Sequence, residues 1–184
     1  MRYVKPLSLF QDLLKTNGLE RGRLLSLDVG SKYIGLAVSD INNKIASPLS
    51  VLLRKKSNIE LMADDLKCLI SELSLEGFVV GFPLDRRKST TESVLVKLFI
   101  DELCNTNKLT GIKYTYWDEH LTSKTVEMLL KPLNLHPVHS KIFVDKFAAV
   151  NILQQQWRKS LKWEDNVGAR PRPQFDSEEL VQWY

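Results

Sequence analysis

The sequence predicts an α/β fold: a mixed five-stranded sheet, three antiparallel strands followed by two strands linked through helices, flanked by helices. Three observations predict it. Residues 24–30 and 33–39 are apolar, β-rich runs separated only by Ser31-Lys32, a spacing that favours a hairpin. Phe78-Val79-Val80-Gly81-Phe82 is a short, wholly apolar run, as in a strand buried on both faces. The segments between and beyond carry apolar residues at helical spacing, so the later strands are joined by helical crossovers.

The elements follow in order. An N-terminal arm, residues 1–22, places Leu7, Phe10, Leu13 and Leu14 at helical spacing beside Arg2, Lys5 and Lys15. It reads as a short docking helix, with an organellar presequence as the alternative. Asn17-Gly18 and Gly22 mark a connector. The main domain, 23–161, opens with the hairpin. A third strand spans 45–53, where Pro48 predicts an irregularity or a sheet edge. Arg54-Lys55-Lys56 is a small basic cluster. Ser57-Asn58-Ile59-Glu60 has the capping-box pattern and opens a helix whose buried stripe is Ile59, Met62, Leu66, Leu69, Ile70 and Leu73. Pro83 ends the apolar strand, and the next loop carries Asp85, Arg86, Arg87 and Lys88. A second capping box, Ser89-Thr90-Thr91-Glu92, opens a helix lined by Val94, Leu95, Leu98, Phe99 and Leu103. Residues 112–117 alternate, with Ile112, Tyr114 and Tyr116 on one face, and deliver Asp118 and Glu119 at the strand's C-terminal end. A helix with Val126, Leu129 and Leu130 stops at Pro132, and a last helix runs from near Ser140 to about Leu161. Residues 162–184, with Gly168, Pro171 and Pro173, form a tail expected to be poorly ordered.

Composition narrows the class. The 184 residues are 43% hydrophobic and 26% charged, the balance of a globular chain with one ordinary domain and short extensions. A net charge of +4 admits an anionic partner. No run approaches the about 18 apolar residues of a membrane span, and no continuous apolar stretch marks a secretory signal. A cytoplasmic protein with no membrane partner is expected, with organellar import left open. Cys68 and Cys104 have no metal-site spacing and read as reduced core residues. His136 and His139 read as polar loop residues rather than zinc ligands. Trp117 reads as a rim of the core, with base stacking as the alternative.

Ligands of open α/β sheets gather at the carboxyl ends of parallel strands. Asp28, the 83–88 loop and Asp118-Glu119 all follow strands that can share that end. A carboxylate near the middle of a sheet is costly unless a cation meets it, although Asp28 also suits a turn cap. In the last helix Asp145 shares a face with Lys141, Ala148 and Ala149, and small alanines let a helix approach a sheet closely. Taken alone, Lys141 and Asp145 read better as a surface pair. Clustered carboxylates repel one another, and Mg²⁺ or Mn²⁺ relieves that repulsion through hard oxygen ligands, leaving positions for water and phosphate. The predicted chemistry is phosphodiester hydrolysis, with Lys32, Lys141, Arg86, Arg87 and Lys88 as candidate phosphate contacts. An Asp-x-Gly turn also opens actin-like ATPases and sugar kinases, but those need two such domains, more than 184 residues supply.

The chain resembles the YqgF (RuvX-like) family of proposed Holliday junction resolvases, within the ribonuclease H-like superfamily. The matching pieces are Asp28-x-Gly30-x-Lys32-x-Ile34-Gly35-x-Ala37-x-Ser39-Asp40, Ala46-x-Pro48-Leu49, Val79-Val80-Gly81-Phe82-Pro83-Leu84, Asp118-Glu119-x-Leu121-Thr122-Ser123 and Lys141-x-x-x-Asp145-x-x-Ala148-Ala149-x-x-Ile152-Leu153-Gln154. They follow the family's order and spread over residues 24–154. The resemblance implies a ribonuclease H-like fold and a nuclease that matures the 5′ end of pre-16S rRNA. Resolution of four-way DNA junctions and non-catalytic nucleic-acid binding are the alternatives. By motif position it implies Asp28, Glu119 and Asp145 as catalytic, metal-holding carboxylates, with Asp118 the neighbouring candidate and Lys141 a basic partner. The implied partner is structured RNA or branched DNA, bound by a monomer or a homodimer. Three positions depart from the family's pattern: His120 stands for an arginine, Tyr33 for a second basic residue, and Arg86-Arg87-Lys88 occupies a loop without its usual glycine.

Overall fold

The computed structural model describes residues 1–15, 22–83, 91–118 and 144–155. Six strands form one sheet: β1 (Arg2–Tyr3), β2 (Arg23–Val29), β3 (Tyr33–Ser39), β4 (Ala46–Leu53), β5 (Leu75–Phe82) and β6 (Lys113–Asp118). The helices are α1 (Pro6–Lys15), α2 (Ile59–Leu73) and α3 (Thr91–Asn105), and residues 144–155 are helical and are called α4. The strand order is β1-β6-β5-β2-β3-β4. β2, β3 and β4 are mutually antiparallel neighbours, while β5 runs parallel to β2 and β6 parallel to β5. The five expected strands are thus all present. The sixth, β1, adds itself parallel to β6 through Arg2↔Lys113 and Tyr3↔Tyr114. Two residues are too few to leave a periodic signal in a sequence.

Pro48 has both expected consequences. β4 is an edge strand, and its pairing with β3 shifts register between Leu36 and Ala37, where Ala37 faces Pro48 and Leu36 faces Ser50. A proline without an N–H is tolerated at such a place.

The sheet separates two cores. On one face Leu25, Leu27, Val29, Ile34, Leu36, Val38, Phe78 and Val80 pack beneath α2 and α3. On the other, Leu24, Val79 and Trp117 meet Leu9, Phe10 and Leu13 of α1 and Ile152 and Leu153 of α4. Alternation along β2 therefore directs Leu24, Ser26 and Asp28 to the α1–α4 face. α1 comes close because β5 has Gly77 beneath it: a Cβ there would lie 2.8 Å from the Leu9 side chain. Lys113 adds an ion pair to Asp12 at 2.9 Å.

Three details correct the sequence expectation. The first capping box does not form, because a 3-10 turn over Lys56–Asn58 precedes α2 and Asn58 caps the helix with no side-chain bond. In α3 the buried stripe is rotated. Ser93, Val96, Phe99, Ile100 and Leu103 are buried, while Val94 and Leu98 are 41% and 54% exposed. The helix carries two overlapping apolar stripes, and contact with the sheet, not periodicity, chooses between them. Cys68 is exposed rather than core, and Cys104 is half-buried; both are free thiols. The core reading of Trp117 agrees with the structure, which buries it beside α1 and α4. The second capping box reaches the described residues only at Thr91-Glu92, and the 119–143 helix and loop and the 162–184 tail lie outside them.

Candidate active site

Asp28 stands at the C-terminal end of β2, next to a turn closed by the backbone, with the Gly30 N–H donating to the Tyr33 carbonyl at 2.9 Å. In the sheet Asp28 pairs with Gly35. That glycine is where α4 meets β3: a Cβ on it would overlap the Asp145 carbonyl oxygen, and the Lys146 nitrogen would be 3.2 Å away. The sheet neighbour of Asp28 and the backbone of Asp145 thus touch. One helical turn further on, the Ser26 hydroxyl donates to the Ala149 carbonyl at 2.6 Å. A step of two residues along β2, Ser26 to Asp28, matches a step of four along α4, Ala149 to Asp145. α4 therefore runs antiparallel to β2 and carries Asp145 toward Asp28. Its far end is held too, since Gln154 accepts from the Ala46 N–H at 3.1 Å and donates to the Lys44 carbonyl at 2.9 Å.

Both carboxylates are buried, Asp28 at 8% and Asp145 at 4% exposure. Two acidic groups drawn from water into one interface strongly favour a cationic companion. Hard oxygen donors of this kind suit Mg²⁺ or Mn²⁺ better than softer metals. Among the described residues no group of three or more metal-binding side chains converges. Glu119, the third member expected from the sequence, lies outside them.

Asp118 ends β6 in register with Phe82, two strands and about 10 Å from β2 at the spacing of paired strands. Its side chain alternates with Trp117, which faces α1 and α4, so Asp118 belongs to the opposite face from Asp28. The structure thus separates Asp118 from the Asp28–Asp145 pair. Lys32 is exposed in the β2–β3 turn, its ammonium 5.2 Å from the centroid of the Tyr33 ring, and its carbonyl accepts from the Arg54 N–H at 2.8 Å. Tyr33 therefore supports the neighbouring Lys32 by a cation–π contact. Arg86, Arg87, Lys88, His120 and Lys141 lie outside the described residues.

Sequence reasoning did not single out Ser26, and Gln154 entered it only as the last residue of a motif. A lone serine inside the apolar run Leu24–Leu27 was a usable signal, because a buried hydroxyl needs a partner. Gly35 appeared only as part of a motif, yet a glycine inside a strand often marks close backbone approach.

Comparison with known proteins fits this geometry. Residues 22–159 match the family described as "RuvX: Holliday junction resolvase". The chain belongs to the RuvX family. Curated relatives of this RuvX chain carry the name "Putative pre-16S rRNA nuclease". One from Beijerinckia indica is 34% identical over 135 residues, covering 73% of this chain and 79% of its own. Another, from Rhodobacter capsulatus, is 35% identical over 134 residues, 72% of this chain and 81% of its own. A third, from Caldicellulosiruptor saccharolyticus, is 35% identical over 134 residues, 72% and 94%. Among solved structures, Thermus thermophilus RuvC in complex with a Holliday junction substrate is 12% identical with a TM-score of 0.48, covering 75% of this chain and 95% of its own. The RuvX sheet, with three antiparallel strands followed by parallel β5 and β6, has the ribonuclease H-like arrangement that the sequence resemblance implied.

Proposed function

We propose that this chain is a metal-dependent nuclease that hydrolyses phosphodiester bonds and trims the 5′ end of pre-16S rRNA. The observation that carries the proposal is the paired burial of Asp28 and Asp145, fitted together by Gly35 and Ser26. Membership of the RuvX family and the names of its relatives supply the reaction class.

Asp28 and Asp145, with Glu119 as the third carboxylate, would hold Mg²⁺ or Mn²⁺. The bound metal would supply charge neutralisation at the transferred phosphate and a more acidic water. Asp118, on the wrong face for this pair, supports the choice of its neighbour Glu119. The protein's own part is positional. Ser26 and Gly35 hold α4 in register, so the carboxylates are arranged before substrate arrives and little reorganisation remains at the moment of reaction. Lys32, Arg86, Arg87, Lys88 and Lys141 are proposed to contact phosphates. Residues 23–161 form the proposed nuclease domain. The arm 1–22 is read as a docking element, supported by the burial of Leu9, Phe10 and Leu13 against the sheet, and 162–184 as a tail. No helix among the described residues is long and apolar enough to cross a membrane; a cytoplasmic location is our reading, with organellar import the alternative.

A second reading, resolution of four-way DNA junctions, is favoured by the family's description. It requires two active sites and therefore a homodimer, whereas end trimming needs a monomer only. A cleavage assay on labelled pre-16S rRNA and on a four-way DNA junction, with Mg²⁺, Mn²⁺ or EDTA, separates the readings. Metal-dependent cutting of the RNA that is lost in Asp28→Asn is the expected result. Binding without cutting, identical in both proteins, would replace the enzyme with a non-catalytic module.

A further inference from the structure

The rotation of α3 leaves a feature that the core does not use. Val94 and Leu98 face outward, and between α3 and the start of α2 they line a groove of about 360 Å³ with Ile59, Met62 and Arg54. That volume falls in the ~300–1,000 Å³ range of small-ligand sites. The groove's lip includes Ser31, a residue of the same turn that carries Asp28 and Lys32. Its floor is apolar and its rim basic: Arg54 and Lys55 line it, and the Arg54 N–H bonds the carbonyl of Lys32 at 2.8 Å. Glu102 is the acidic residue of the lining.

Arg54 is placed as a flat, fixed cation. Its guanidinium sits 5.4 Å from the centroid of the buried Phe99 ring, and Nη2 donates to the Leu95 carbonyl at 3.3 Å. Burial lowers its pKa, with Glu102 opposing, yet a guanidinium stays charged at any pH the protein meets. An ordered guanidinium plane beside exposed aliphatic side chains is a surface on which an aromatic ring stacks, while ammonium groups at the rim meet phosphates.

We propose that this groove holds one unpaired nucleotide of the substrate strand, its base against Leu98, Val94 and the Arg54 guanidinium and its phosphates toward Lys55. The inference rests on the nuclease reading and sharpens its substrate class. The groove opens on the α2–α3 side of the sheet, whereas Asp28 faces α1 and α4, so the strand bends over the β2–β3 turn at Ser31 between them. A strand that bends and offers a free base is single-stranded. A continuous duplex keeps its bases stacked and paired and presents none. The groove therefore favours an unpaired RNA end over a fully paired junction arm.

The test uses the full chain in EDTA, so that binding is read without cleavage, with single-stranded RNA carrying 2-aminopurine and with an RNA duplex of the same sequence. Leu98 is half-exposed, so its replacement leaves the core intact. Leu98→Asn is expected to weaken single-strand binding by about tenfold, the scale of one lost stacked base, and to leave duplex binding within about twofold. The 2-aminopurine fluorescence change on binding should shrink with it, and Leu98→Phe should restore both. Equal effects on single strand and duplex, or no effect on either, would overturn the groove proposal while leaving the nuclease reading in place. A wild-type chain that binds neither RNA would overturn both, and the cleavage assay identifies that case separately.

Discussion

The backbone of Asp145 rests on Gly35, with no room between them for a methyl group. Gly35 is also the sheet partner of Asp28, so one missing side chain lets a helix from the far end of the chain seat the backbone of Asp145 against the strand beside Asp28. The site is assembled by an absence on β3 as much as by the acids on β2 and α4. Gly35→Ala should therefore push α4 off the sheet. We expect a loss of about 1–3 kcal/mol or more in urea denaturation, the usual penalty for overpacking, together with loss of cleavage. Wild-type stability and activity in this variant would falsify the arrangement.

Ser26 makes a subtler case. Ser26→Ala removes the bond to the Ala149 carbonyl and should cost about 1 kcal/mol, the usual net value of one hydrogen bond. Because the hydroxyl sets the register of α4, cleavage should fall further than stability does, chiefly in kcat. Unchanged kcat at a reduced denaturation midpoint would confine Ser26 to a structural role.

Divalent metal should stabilise the fold through the two buried acids. Mg²⁺ or Mn²⁺ binds the folded state, so the thermal midpoint should rise with metal concentration and fall back in EDTA. In Asp28→Asn and Asp145→Asn that rise should vanish. A metal-dependent rise that survives both substitutions would place the cation elsewhere.

Nucleic-acid affinity should drop steeply with salt as counterions are released from phosphates. Arg86→Ala with Arg87→Ala should weaken binding and shallow that slope, with a stability change below about 1 kcal/mol, as the sequence predicts for charges in a polar loop. A flat salt response in the wild-type chain would argue against direct contact with a polyanion.

A last prediction concerns alkaline pH. Burial, then the charges of Cys104 and Asp101, push the Tyr114 hydroxyl up to about 12 against a lowering hydrogen bond with Tyr116, and burial with the neighbouring Tyr114 pushes the Tyr116 hydroxyl higher still. Their rings stack edge-on at 5.7 Å, and Tyr3 packs against both. The unfolded chain loses these protons near pH ~10 and the folded chain later, so folding holds the proton. The resulting stability is complete below pH ~10 and is lost as pH climbs through about 12. Denaturation midpoints between pH 9 and 12 should fall less steeply in the Tyr114→Phe, Tyr116→Phe double variant; parallel curves would sink the assignment.

Much of this was legible in one dimension. The hairpin of β2 and β3 announces itself because a two-residue spacer between alternating apolar runs has one economical solution, and β5 because an unbroken apolar run needs cover on both faces. Pro48 marked the irregular edge because a missing N–H is a local fact. The ordered motifs around Asp28, Asp118-Glu119 and Asp145 named the family and its chemistry. These signals lie within a few residues of one another, where periodicity and backbone stereochemistry act directly.

What the tertiary structure alone decided are questions of facing. Val94 and Leu98 fit a helical stripe as well as Val96 and Ile100 do, and only docking on the sheet turned the first pair outward. The pattern Ser57-Asn58-Ile59-Glu60 satisfies a capping rule, but the chain entering from β4 takes a 3-10 turn and the cap is never made. Motif position preferred Glu119 to its neighbour Asp118, and the burial of Trp117 independently assigns Asp118 to the face away from Asp28. Ser26 and Ala149 are 123 residues apart, and nothing local connects them. The sequence states which groups are available at each position; which of them meet depends on close packing across the sheet, where a missing methyl on Gly35 or a hydroxyl on Ser26 selects one docking of α4 among many.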